Sequence, residues 1–172
     1  KHIGLPLFFF FITALVISIS STAERKIVWS GDDGLQLIAL PGSAARPYAQ
    51  QIVGLDLKTY KEWPYLYEGP KEDGLAYFET YFQSKNSLFL LLMKEENVLG
   101  YAALIPLQEE MEKLKKPMTQ AGLRCEEYMY IGSVVIEKEY RHKGIMRIMC
   151  EQADAYAKKR NKRYSLLNTI ER

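Results

Sequence analysis

Leu88, Phe89, Leu90, Leu91, Leu92 and Met93 form a short, almost fully apolar run. Such a run fits a strand covered on both of its faces. The polar residues 94–97 follow, and then a second apolar stretch at 98–105 that ends at Pro106. Two such runs around a short turn read as a β-hairpin. A hairpin inside a sheet clothed by helices belongs to an α+β or mixed α/β domain. It also interrupts the run of parallel βαβ units that a Rossmann domain needs.

The other elements fit around that hairpin. Residues 35–40 read as a first strand, set off by the turn signal Gly31, Asp32, Asp33, Gly34. Ser43 is a candidate N-cap for a helix to Tyr60, with a soft spot at Pro47. The aromatic stretch 63–70 is bounded by breakers and reads as an ordered loop. Leu75, Phe78, Tyr81 and Phe82 recur at helical spacing within a helix at 74–85. A charged helix is expected over 109–116, stopped by Pro117, then a strand over 128–136. A helix at 144–159 follows, with Ile145, Ile148, Met149, Gln152 and Tyr156 on one face, and a strand begins at Tyr164.

The front of the chain is different. Residues 3–19 carry no charge and include Phe8, Phe9, Phe10 and Phe11; small residues 20–23 precede the first charges. A basic start, an apolar middle and a small-residue exit describe a signal peptide, or a membrane anchor if it is retained. The alternative, a buried core helix, would be apolar on every face. Residues 1–23 are therefore set apart from a domain at 24–172. With 23 basic and 21 acidic residues the net charge is +2, which makes no case for a nucleic-acid binder. Two cysteines exclude a disulfide-stapled mini-protein and a four-thiolate zinc site, and no metal is expected. Cys125 and Cys150 are read as inert buried thiols, with a disulfide as the alternative for an exported chain.

The chemistry concentrates at 130–146. A strand ending in Val134, Val135 and Ile136 runs into a basic turn, Arg141, His142, Lys143 and Gly144, and then into a helix opening with Ile145 and Met146. A helix start offers unpaired N–H groups and partial positive charge. Gly144 allows close approach to the backbone. Together these suit a phosphate or pyrophosphate; the alternative is a basic turn that merely connects strand to helix.

That stretch resembles motif A of the GNAT acetyltransferases, in which an aliphatic strand precedes Arg/Gln-x-x-Gly-x-Gly/Ala. Arg141 to Ile145 follow this pattern, and Tyr140 fits the common form before the arginine. Met146 stands where the family keeps Gly or Ala, so a side chain sits beside the pyrophosphate. Lys138 stands where proline is frequent. The element order from Leu35 onward also matches, and the segments 62–69 and 103–107 look like a bacterial subgroup of uncharacterised substrate.

The resemblance implies a central mixed sheet flanked by helices, lacking the family's last strand and helix where this chain ends. It implies acetyl-CoA as acyl donor and an amine acceptor, with direct attack in a ternary complex. The backbone of Val134, Val135 and Ile136 would hold the pantetheine arm, and Arg141, His142, Lys143, Gly144, Ile145 and Met146 the pyrophosphate. Glu126, Glu127 and Glu137 are candidate bases, each with a solvated surface charge as its alternative. Ser133, Tyr65 and Tyr67 are candidates for lining the acceptor side; the alternatives are a tolerated strand residue for Ser133 and core packing for the two tyrosines. No tyrosine after the last strand can be named as proton donor to the thiolate. The competing readings are a non-catalytic CoA- or nucleotide-binding module and a membrane-anchored interaction domain. The leader implies an exported or membrane-associated protein; acetyl-CoA supply implies the cytoplasm as the alternative.

Overall fold

A computed structural model describes residues 25–167. The expected leader at 1–23 and the expected loss of elements past the C-terminus both lie outside the described residues. Among the described residues six strands form one mixed sheet in the order β1-β2-β3-β4-β5-β6. They are β1 (Lys26–Ser30), β2 (Leu35–Pro41), β3 (Leu88–Lys94), β4 (Asn97–Pro106), β5 (Tyr128–Ile136) and β6 (Tyr164–Leu167). The first five pair antiparallel, and β5 pairs with β6 in parallel. Among the described residues five α-helices accompany them: α1 (Gly42–Ala45), α2 (Ala49–Tyr60), α3 (Lys71–Gln83), α4 (Glu112–Gln120) and α5 (Ile145–Lys159).

The expected hairpin is β3 and β4, and β3 is buried along its length except at Lys94. Its alternate side chains serve two cores, as a strand covered on both faces requires. Phe89, Leu91 and Met93 join α2 and α3 in one core. Leu88, Leu90 and Leu92 join α5 in the other. In α5 the buried stripe is Ile145, Met149, Ala153 and Ala157, one residue per turn, small where the helix lies closest to the sheet. Expected Ile148 and Tyr156 pack at the edge of that core.

Five details differ from expectation. β1 was not among the expected strands; its exposed and half-exposed residues carry no clear alternation. The helix from Ser43 is split, because Arg46–Tyr48 forms a 3-10 turn at Pro47, the soft spot. Ser43 does not cap it: the N-cap is Pro41, with no side-chain bond. Helix α3 begins at Lys71, three residues early, behind Pro70 and with Glu72 and Asp73 at its positive end. Helix α4 is displaced from 109–116 and contains Pro117. Its start is set by Glu110, which is buried and accepts bonds from the Tyr81 hydroxyl and the Met111 N–H.

Gly42 is buried where α1 crosses α3. A Cβ there would lie 2.0 Å from the Tyr81 carbonyl oxygen, a backbone atom that cannot swing aside. Gly42→Ala is expected to lower stability by about 1–3 kcal/mol through overpacking, read as a shifted urea midpoint at constant slope.

Candidate active site

Strand β5 positions the site. It pairs with β4 along most of its length, but with β6 only from Tyr128 to Ile131 among the described residues. Strand β5 carries a β-bulge against β4: Ala103 pairs with Ser133 and Leu104 with Ile131, so Gly132 is the extra residue. The bulge turns Gly132 and Ser133 toward the same side of the sheet. A Cβ on Gly132 would lie 1.9 Å from the Tyr81 hydroxyl and 2.6 Å from that of Tyr77, which restricts the position to glycine.

After Ile136 the chain makes one 3-10 turn at Lys138–Tyr140 and enters α5 through two left-handed residues, His142 (φ 62°) and Gly144 (φ 77°). Gly144 is the N-cap, and no side chain caps the helix. The first N–H groups of α5 thus face outward without an intrahelical acceptor. Arg141 braces the turn, its Nε donating to the Ile136 carbonyl at 2.7 Å. His142, Lys143 and Met146 are exposed, and the Lys143 ammonium lies 5.0 Å from the Tyr140 ring centroid. A cleft of 440 Å³ opens here, lined by Val134, Ile136, Arg141, His142, Gly144 and Met146 among others. The structure thus gathers the expected strand and turn residues around one opening on the α5 face; Val135 points to the other core, and Lys143 lines a neighbouring hollow.

The opposite face of β5 carries a polar cluster. The hydroxyls of Tyr101 and Ser133 both reach Asp56 Oδ1, Ser133 at 3.1 Å. Tyr101 and Ser133 are 2.9 Å apart, and the Tyr60 hydroxyl is 3.3 Å from Ser133. Burial pushes the Asp56 carboxyl up from its usual range, and the two hydroxyl donors offset part of that rise. Nearby, Tyr77 and Tyr81 are bonded at 2.9 Å and Tyr81 reaches buried Glu110. Burial raises the pKa of both tyrosines, so they stay protonated.

The remaining expected residues fall as follows. Tyr65 stands edge-on to Tyr60, with ring centroids 4.6 Å apart, which links the 63–70 loop to Ser133. Tyr67 folds back over Gly69. Glu137 pairs with Lys58 at 2.9 Å. Glu127 pairs with Arg124 at the opposite end of β5, and Glu126 lends its backbone carbonyl to Lys162. Cys125 and Cys150 are half-buried and free. Sequence reasoning passed over Asp56, Tyr60, Tyr101 and Glu110. One signal was present: Val53, Asp56 and Tyr60 share a helical face with buried neighbours, and an acid on such a face needs a reason.

A family model described as "Acetyltransferase (GNAT) family" matches residues 56–171. The chain belongs to the GNAT acetyltransferase family. No curated protein matches it in sequence. Solved structures share the GNAT fold at low identity. An aminoglycoside acetyltransferase from an uncultured soil metagenomic sample, in complex with trehalose, is 12% identical, with TM-score 0.55 over 81% of this chain and 80% of that one. The aminoglycoside N-acetyltransferase AAC(6')-Iy in complex with CoA is 12% identical, with TM-score 0.56 over 79% and 77%. An integron cassette protein from the mobile metagenome of Cole Harbour salt marsh is 14% identical, with TM-score 0.56 over 72% of each chain. The six-stranded mixed sheet flanked by helices matches the GNAT fold.

Proposed function

We propose that this GNAT protein transfers an acetyl group from acetyl-CoA to an amine by direct attack in a ternary complex. The observation that carries the reading is the cleft at the end of β5, lined by Val134, Ile136, Arg141 and Gly144, where the strand enters the left-handed Gly144 turn. The N–H groups of Ile145, Met146 and Arg147 would take the pyrophosphate, whose charge the α5 dipole favours. The pantetheine arm would then run back along Ile136, Val135 and Val134, hydrogen-bonded to the strand edge. Its thioester end arrives at the Gly132–Ser133 bulge. There it meets the polar cluster on the far face, so donor and acceptor approach from opposite sides of the sheet. Tyr65 and Tyr60 line the route from the 63–70 loop.

The full chain is incubated with acetyl-CoA and a panel of primary amines. Thiol release that depends on the amine, with an acetylated amine seen by mass, is the expected result. Acetyl-CoA binding with no thiol release from any amine assigns the chain to a non-catalytic CoA-binding role instead.

A further inference from the structure

Asp56 is a carboxylate in an unusual position. It projects from α2 toward the bulge, largely buried, yet among the described residues no lysine or arginine pairs with it. The groups that face it are Tyr60 on its own helix, Tyr77 on α3, Tyr101 on β4 and Ser133 on β5, none of them a cation. Both protein donors use Oδ1. Among the described residues Oδ2 has no donor, and no fully buried side-chain oxygen lacks a partner, so Oδ2 is the oxygen left available to a ligand. A desolvated carboxylate without a counter-ion favours a cationic ligand that brings its own charge and hydrogen-bond donors.

We infer that Asp56 is the residue that binds the acceptor's ammonium and removes its proton, so that the enzyme selects primary amines presented as cations. This rests on the acetyl-transfer reading above. The protonated amine pairs with Oδ2 and passes one proton to it. The freed nitrogen lone pair attacks the thioester carbonyl carbon, and the carbonyl π pair moves to oxygen. When that pair returns, the C–S bond breaks and its electrons leave with sulfur. The second proton on nitrogen goes to the thiolate, giving the amide and free CoA. Asp56 then returns its proton to solvent through Oδ2. Tyr101 and Ser133 are positioning residues that fix Oδ1, and burial sets the carboxyl nearer the working pH than a surface aspartate.

The sign of the stability linkage separates this from a structural role. A carboxyl whose folded pKa is raised binds its proton more tightly when folded. Stability from that site is present below the unfolded pKa and declines as pH rises through the folded value. Asp56→Asn keeps an oxygen acceptor for Tyr101 and Ser133 and removes the charge. At pH 7 the variant is expected to melt at the same temperature as the native protein or higher.

The test uses the full chain, native and Asp56→Asn, with n-butylamine as acceptor and n-butanol as control. Carboxyl 13C resonances are followed by NMR. The Asp56 signal is expected to shift with n-butylammonium and not with n-butanol, and to titrate above the usual aspartate range. In turnover, Asp56→Asn is expected to lose 10²–10⁴-fold in kcat/KM for the amine, to lose the acid limb of the pH profile, and to keep its KM for acetyl-CoA. Ser133→Ala, which leaves the carboxylate in place, is expected to retain that limb with its midpoint moved upward. Retention of rate and acid limb in Asp56→Asn, or a lower melting temperature, overturns the assignment. If the native chain neither binds acetyl-CoA nor turns over, the acetyl-transfer reading fails by itself. The carboxyl titration then decides the ammonium site, and a signal unmoved by n-butylammonium overturns that too.

Discussion

Phe78→Ala is expected to destabilise the domain by about 3–5 kcal/mol. Phe78 is fully buried on α3 at the centre of the core beneath β3 and β4. Its ring lies 5.0 Å from Tyr77, 5.8 Å from Tyr81, 6.0 Å from Phe89 and 5.7 Å from Tyr101, centroid to centroid. Removing it takes away both transfer free energy and packing partners, and these four rings cannot collapse into the gap without leaving their rotamers. For a domain of this size the loss corresponds to about 6–20 °C in Tm, measurable by calorimetry. The effect reaches the site as well. Tyr101 and Tyr81 hold Asp56 and Glu110 respectively, so any folded remnant should also have weakened acetyl transfer. A shift of a degree or two would mean that this core is not the one that stabilises the domain.

The second large effect concerns the turn. Gly144→Val is expected to weaken acetyl-CoA binding about 5–150-fold, equivalent to about 1–3 kcal/mol of backbone strain. The cause is conformational rather than steric, since a Cβ at Gly144 would meet nothing within 4 Å. Gly144 sits at φ 77°, a region that β-branched residues rarely enter. Relieving that strain rotates the peptide and re-aims the N–H groups at the start of α5. Asparagine tolerates the left-handed region better than alanine, and alanine better than valine. Affinity should therefore fall in the order Gly, Asn, Ala, Val. Equal affinity across the series would remove the turn from the binding site.

Much of this was legible before any coordinates. The β3–β4 hairpin, β5, the Gly144 turn and α5 stood out because local signals agreed: apolar runs of strand length, a polar turn, and helical spacing after a glycine. Strand β1 did not, because a half-exposed edge strand shows no clear alternation. The start of α4 was missed because it depends on Glu110 being buried under Tyr81, 29 residues away in sequence. The polar cluster was illegible for the same reason. Ser133 was a candidate for the acceptor side with a tolerated strand residue as the alternative, and its partners Asp56 and Tyr101 lie 77 and 32 residues distant. The glutamates Glu137 and Glu127 drew attention by adjacency to the motif strand, whereas Asp56 reaches the bulge from another helix. Tertiary pairing of this kind leaves only one local trace, an acid on a buried helical face.

The central claim is that acetyl-CoA lies along β5 and into the Gly144 turn. It is tested most directly by titrating acetyl-CoA into 15N-labelled native protein and mapping the amide shifts. Saturable changes concentrated at Val134–Ile136 and Arg141–Met146, reaching Gly132 and Ser133 at the thioester end, are the predicted result. No change at millimolar acetyl-CoA, or changes confined to other parts of the sheet, would contradict it.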